Sequence, residues 1–178
     1  MAVRETIGFI LGNIDIPLLV VAFIVTIVKL RRAEARHEIV SFAYTLWGEV
    51  LFYCIGLGFV YVWYFHAFLS SFTAPLIGWQ PSPFEWELAW AELGIAAVAI
   101  LGLWRGFEMR LAATLAISIF LFGAAAQHIH LMITAHNYAP GNSGFTLWFA
   151  DIAMPLFLLL LAVGSRDAYE RTTRHARI

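Results

Sequence analysis

The chain has 178 residues, of which 61% are hydrophobic and only 13% charged, with a net charge of −1 and a mean hydropathy of +0.78. Soluble domains are usually near half apolar and about a quarter charged, so this composition excludes an ordinary water-soluble fold. The length suits one domain over 1–178, the charge balance gives no support to a nucleic-acid partner, and a single cysteine, Cys54, rules out a disulfide framework or a Cys-based zinc site.

A helix crossing a hydrocarbon core of ~30 Å needs roughly 20 mainly apolar residues, and five segments meet that need. The first, 7–29, follows a start that lacks a basic region and a small-residue cleavage site, so it reads as a span and not as a removable signal peptide. It contains GNIDIP, where Pro17 removes a backbone donor and Asn13 and Asp15 can bond nearby backbone. That stretch reads either as a broken helix lining a cavity or as a helix beginning at Pro17 with Asp15 as its cap. After the basic loop KLRRAEARHE comes the longest span, 39–66, carrying Glu49 and Tyr53. A connector with Pro75, Pro81 and Pro83 leads to the third span, 85–104. There Glu85 and Glu87 complement the positive helix start, and Glu92 lies deeper. A turn at Arg105 and Gly106 precedes the fourth span, 110–134, with Gln127, His128 and His130; the turn NYAPGNSG precedes the fifth, 145–164, with Asp151.

Cytoplasmic loops retain positive charge. Lys29, Arg31, Arg32 and Arg36 fall in the first loop, Arg105 and Arg110 in the third, and Arg166, Arg171, Arg174 and Arg177 in the tail, leaving Arg4 alone on the other side. This alternation predicts an all-α polytopic membrane helical bundle, N-outside and C-inside, with about five transmembrane helices. Trp79, Trp86, Tyr138 and Trp148 then mark the outer boundary, and Trp104 and Tyr44 the inner one. Gly56, Gly94, Ala112, Ala116 and Gly123 would permit close helix approach.

An ionisable group inside a span costs several kcal/mol unless it finds a partner, faces the bundle interior or changes protonation state. At ~1.5 Å per residue, Asp15, Glu92, Asp151 and His128 each lie about 9–11 Å from the outer end of their spans, on one shelf. Glu49 is expected near the bilayer centre, with Tyr53 one turn above it. His128 and His130 are ~200° apart on a helix and cannot both address one site; the small residues beside His128 turn it towards a neighbouring helix.

Three readings of these groups stand side by side. Glu49, Glu92, His128 and Asp151 have the oxygen and nitrogen donors that iron, manganese or zinc take. Alternatively, Asp15, Glu49, Tyr53, Glu92 and His128 form a protonatable chain or hold the polar head of a lipid-soluble ligand. In the third reading the polar groups only hydrogen-bond helix to helix. No phosphate loop, HExxH or GxSxG motif is present.

The run EWELAWAELGIAAVAILGLWRGFEMRLAATLAISIFLFGAAAQHIHLM opens with an acid on a Gly/Ala-rich span, passes a short basic turn and enters an RLAA-type helix. In this it resembles the DoxX-like group of small membrane proteins. It is also similar to short bacterial membrane proteins with a His-containing fourth span followed by an APGN turn, here Ala139 to Asn142. The resemblance implies a helical bundle in a bacterial inner membrane, associated in some relatives with redox or quinone chemistry. Two functions are therefore weighed. One is a ligand-binding, redox or proton-transfer site in which Glu49 and Glu92 carry protons, His128 ligates or donates, Asp151 orients it and Asp15 joins. The other is an accessory or scaffold subunit, partnered by lipid and by other membrane subunits or further copies of itself. A small transporter is a weaker third, as no inverted repeat is visible.

Overall fold

A computed structural model describes residues 13–175; Arg4, the beginning of the first expected span at 7–12, and Arg177 lie outside the described residues. Asp15–Ala35 forms α1, Phe42–Phe68 α2 and Ser70–Leu76 the short α3. Phe84–Gly102 is α4, Phe107–Thr134 α5 and Pro140–Ser143 the single turn α6. Helix α7 opens with Leu147–Ala153 and continues as Met154–His175. Among the described residues there is no strand, so the fold is all-helical.

Local chemistry sets several of these ends. The Ser41 hydroxyl accepts from the Tyr44 amide at 3.3 Å and starts α2. At α4, Ser82 Oγ accepts from the Phe84 amide and Glu85 Oε1 from the Ser82 amide, both at 3.2 Å, a reciprocal cap with Pro83 inside it. Of the two forms expected of GNIDIP, a helix that begins at Pro17 is corrected: α1 begins at Asp15, and Pro17 stays in the first turn, where its missing donor costs nothing; whether a helix precedes the break concerns residues outside those described. Two stretches widen into π turns, Leu51–Leu57 within α2 and Leu147–Ala153 at the start of α7.

Among the described residues three stretches are long and apolar enough to cross a membrane: Phe42–Phe68, Phe107–Thr134, and Pro140–Arg166, which takes in α6 and the first part of α7. Helices α1 and α4, with 21 and 19 residues, match a crossing in length. They carry more charge, however: Asp15, Lys29, Arg31 and Arg32 on α1, and Glu85, Glu87 and Glu92 on α4.

Helix α2 is central, with α1, α4 and α7 packed along it and α5 reaching its π turn. Its Leu46, Trp47, Val50, Leu51, Cys54 and Ile55 are buried, and the Trp47 indole donates to Thr114 Oγ1 at 2.9 Å while its ring meets Phe107 edge-on at 5.2 Å. Of the small residues expected to mediate close approach, only Gly56 does so; a Cβ there would meet Ile100 Cγ1 at 2.6 Å. Gly94, Ala112, Ala116 and Gly123 face outward. The α4 stripe against α2 is instead Ala89, Ala96 and Ala99, three and seven residues apart on the opposite side of the helix.

Arg110, counted in sequence as a loop charge, is buried. Its Nε donates to the Gly102 carbonyl at 2.8 Å, Nη2 to the Leu103 carbonyl at 3.2 Å and Nη1 to the Tyr44 carbonyl at 2.7 Å, with the guanidinium 4.1 Å from the Tyr44 ring centre. It therefore satisfies carbonyls freed at the end of α4 and ties α2, α4 and α5 together. Gly48 makes the room, since a Cβ there would lie 2.8 Å from Nη2. Gly48→Val is expected to destabilise the bundle by roughly 1–3 kcal/mol, and Arg110→Leu by a similar amount through unpaired carbonyls. Thermal unfolding in detergent would read both as a lower midpoint, and unchanged midpoints would contradict this role.

Candidate functional site

The end of the bundle that carries α3 and α6 holds a connected polar site. His128 lies on α5, six residues before Thr134, and is buried. Its Nδ1 is 2.7 Å from Asn142 Oδ1 on α6. The Asn142 amide nitrogen donates to the His128 carbonyl at 3.1 Å and to the Asn137 carbonyl at 2.8 Å. Both of its hydrogens are thus committed to acceptors, so Oδ1 must be the atom that faces the imidazole, and Nδ1 must carry the hydrogen it donates.

The other ring nitrogen, Nε2, then faces Asp151 Oδ2 at 3.7 Å. Asp151 is held there by the π turn of α7, and its Oδ2 is buried with no hydrogen-bond partner. Two lone pairs facing each other in a buried pocket repel. An imidazolium opposite a carboxylate, or a neutral imidazole opposite a carboxylic acid, would each relieve that repulsion. The two atoms lie beyond hydrogen-bonding distance but within electrostatic contact, and a hydrogen-bonding group placed to one side of the pair could reach both.

The Asp15 Oδ1 is 3.5 Å from where a Gly58 Cβ would stand, at the end of the α2 π turn. Asp151 lies in the second π turn, and such turns are frequent where helices carry function. The Trp79 ring, in the connector after α3, lies 6.1 Å from the His128 imidazole at 30°. Trp79 also lines an open cleft of about 840 Å³ with Gln80, Phe84, Gln127, Leu131 and Asn137.

The remaining expected residues are elsewhere. Glu92 is paired with His66 of α2, whose Nδ1 is 2.9 and 3.0 Å from its two oxygens. Glu49 binds Lys29 Nζ of α1 at 2.6 Å. It lies seven residues into α2, about 10 Å from the start of that helix. Tyr53 sits in the π turn, edge-on to Phe52 at 5.0 Å. The shelf of four groups thus separates: His128 pairs with Asp151, Glu92 with His66, and Asp15 lies beside Gly58. Among the described residues no three His, Cys, Asp or Glu side chains converge to hold a metal ion. His130 is exposed, on the far face of α5 from His128.

Sequence reasoning missed Asn142, His66, Lys29 and Trp79 as members of these sites. Asn142 offered a signal, as an amide inside a short Pro-Gly turn beside a His-bearing helix end. Asn142→Ala would strip a fully buried amide of three hydrogen bonds, and a loss of roughly 2–3 kcal/mol in stability is expected. Chemical or thermal unfolding checks it, and a variant as stable as the parent would contradict the geometry.

Neither a curated protein nor a solved structure matches the sequence. A family match does cover residues 12–171, which takes in every residue of both polar sites, and on it the chain belongs to the family of unknown function DUF6790.

Proposed function

We propose that the chain is a five-span protein of a cell inner membrane whose His128–Asp151 pair binds the polar head of a lipid-soluble ligand and exchanges a proton with it. The observation that carries this reading is the fixed tautomer of His128. Asn142 holds the Nδ1 hydrogen, which leaves Nε2 facing the otherwise unpartnered Asp151 Oδ2 at 3.7 Å, the one place in this site where a proton can be exchanged. A ligand carbonyl or hydroxyl at that point would meet a group able both to donate and to accept. The cleft beside Trp79 is of the size that small-molecule sites have.

Five crossings are supported by the outward faces of all five long helices. Val20 and Ile24 on α1, Leu57 on α2, Trp90 on α4, Ile119 on α5 and Leu160 on α7 are exposed. Exposed apolar surface on every side of a bundle suits lipid and not water. The deeper charges of α1 and α4 are compensated, Lys29 by Glu49 and Glu92 by His66, which reduces their cost in hydrocarbon. Basic residues gathered at one end favour the N-outside, C-inside orientation.

The likeness to DoxX-like proteins makes a quinone the natural first probe. Titration of the detergent-purified protein with a short-chain ubiquinone is expected to quench tryptophan fluorescence saturably, through Trp79. His128→Gln and Asp151→Asn should each weaken binding about tenfold or more, the effect of leaving one partner of a buried polar pair unmet. Quenching that is linear in the parent, together with co-elution in fixed stoichiometry with larger subunits, would overturn this reading in favour of an accessory subunit.

A further inference from the structure

The end of α2 and the start of α4 gather four aromatic rings that share no residue with the His128 site. Their centroids form a closed circuit: Trp63 to Phe68 at 5.7 Å, Phe68 to Trp86 at 6.0 Å, Trp86 to Trp90 at 5.6 Å, and Trp90 back to Trp63 at 6.0 Å. Consecutive rings stand steeply to one another, at 83°, 86°, 77° and 60°. Helical spacing accounts for one side, since Trp86 and Trp90 are one turn apart on α4. Phe68, the last residue of α2, closes the circuit across the two helices. Phe68, Trp86 and Trp90 are each about half exposed, so the circuit is open to its surroundings.

Anchoring at a water–lipid boundary asks only that each ring reach that boundary, and needs no closed circuit. A point amid four centroids linked in this way lies within about 6 Å of each, which is the reach of a cation–π contact. The charge around the rings has the matching sign. Between Arg36 and Arg105 the chain has no lysine or arginine, while Glu85 and Glu87 flank Trp86 in sequence and Glu92 follows Trp90 by two residues. Glu92 is paired with His66, whereas among the described residues neither Glu85 nor Glu87 forms an ion pair. Acids left without a counter-charge draw cations to the surface beside them. A primary ammonium would turn strongly hydrated N–H donors towards rings that offer no lone pair. A quaternary ammonium has no N–H to satisfy, so aromatic faces in a negative field suffice for it.

We propose that Trp63, Phe68, Trp86 and Trp90 form a binding site for a quaternary ammonium group, borne by a soluble cation or by a lipid head, which goes beyond the ligand reading of His128 and does not depend on it. The half-exposed Trp86 and Trp90 receive the group, and the exposed Glu87 beside Trp86 in the chain supplies the charge.

Fluorine NMR of the full chain labelled with fluorotryptophan, in an uncharged maltoside detergent, reads the rings directly, with signals assigned from Trp63→Phe, Trp86→Phe and Trp90→Phe. Titration with tetramethylammonium chloride, against sodium chloride at equal ionic strength, is expected to shift the Trp86 and Trp90 signals saturably. Methylammonium, and neopentyl alcohol as an uncharged group of the same shape, should leave both signals nearly unmoved at the same concentrations. Trp86→Leu combined with Trp90→Leu removes two ring faces and should weaken binding about tenfold, read on the Trp63 signal. An alkylphosphocholine mixed into the same micelles separates the two sources. Saturation at a concentration about tenfold below that of tetramethylammonium assigns the site to a lipid head, and saturation at an equal concentration assigns it to a soluble cation. Signals that tetramethylammonium does not move, or that neopentyl alcohol moves equally, would identify the circuit as boundary anchoring alone and overturn the proposal. That comparison is made on the unsubstituted chain, so it decides the matter even where the double variant fails to fold.

Discussion

A charged or strongly polar group set among apolar helices must find a partner within reach, and in this protein that requirement marks where the helices meet. Lys29 and Glu49 join α1 to α2, His66 and Glu92 join α2 to α4, and His128 and Asp151 join α5 to α7. Arg110 joins three helices at once by donating to carbonyls of α2, of the end of α4 and of the turn after it. Apolar packing between greasy helices is nearly indifferent to which faces touch, whereas an unpaired charge is not. The pairs therefore fix rotation and register, and the Ala89, Ala96, Ala99 stripe and Gly56 close the contact around them.

The two polar sites differ in what they hold. At His128 the imidazole is fixed by an amide whose own hydrogens are both committed, so Nδ1 donates and Nε2 faces Asp151. At His66 the imidazole is instead held by both oxygens of a carboxylate. Both occur near the end covered by α3 and α6, which are locked to each other: Asn137 donates to the Ile77 carbonyl at 2.8 Å, and a Cβ at Gly141 would lie 2.8 Å from the Leu76 carbonyl. The opposite end, with Lys29 and Arg110, carries positive charge and no imidazole pair.

Helix identity and approximate bounds were legible in the sequence because apolar run length and turn chemistry are local. The expected 110–134 and 85–104 differ from Phe107–Thr134 and Phe84–Gly102 by three residues or fewer at each end. Depth along a helix was partly legible, through counting at a fixed rise. Rotation was not. Counting put Asp15, Glu92, His128 and Asp151 on one shelf, yet Glu92 turns to His66 while His128 and Asp151 turn to each other, and only the packing of the helices decides that. Local rules failed most at the π turns: Leu51–Leu57 shifts the phase of everything after it, so that Tyr53 no longer stands simply one α turn above Glu49. The short connectors read as bare links, but Asn142 and Trp79 within them complete the site around His128.

That these pairs operate within a bilayer is the premise on which the account stands, and helices α1 and α4, with their extra charges, are where it is most exposed. Single cysteines at the exposed positions Glu38, Gln80, Arg105 and Tyr138, in a Cys54→Ala background, can be challenged with a membrane-impermeant maleimide in sealed cells. The account predicts labelling of Gln80 and Tyr138 from outside, and of Glu38 and Arg105 only after permeabilisation. Finding Gln80 and Arg105 on the same side would contradict it, because α4 and its buried acids would then not cross the membrane.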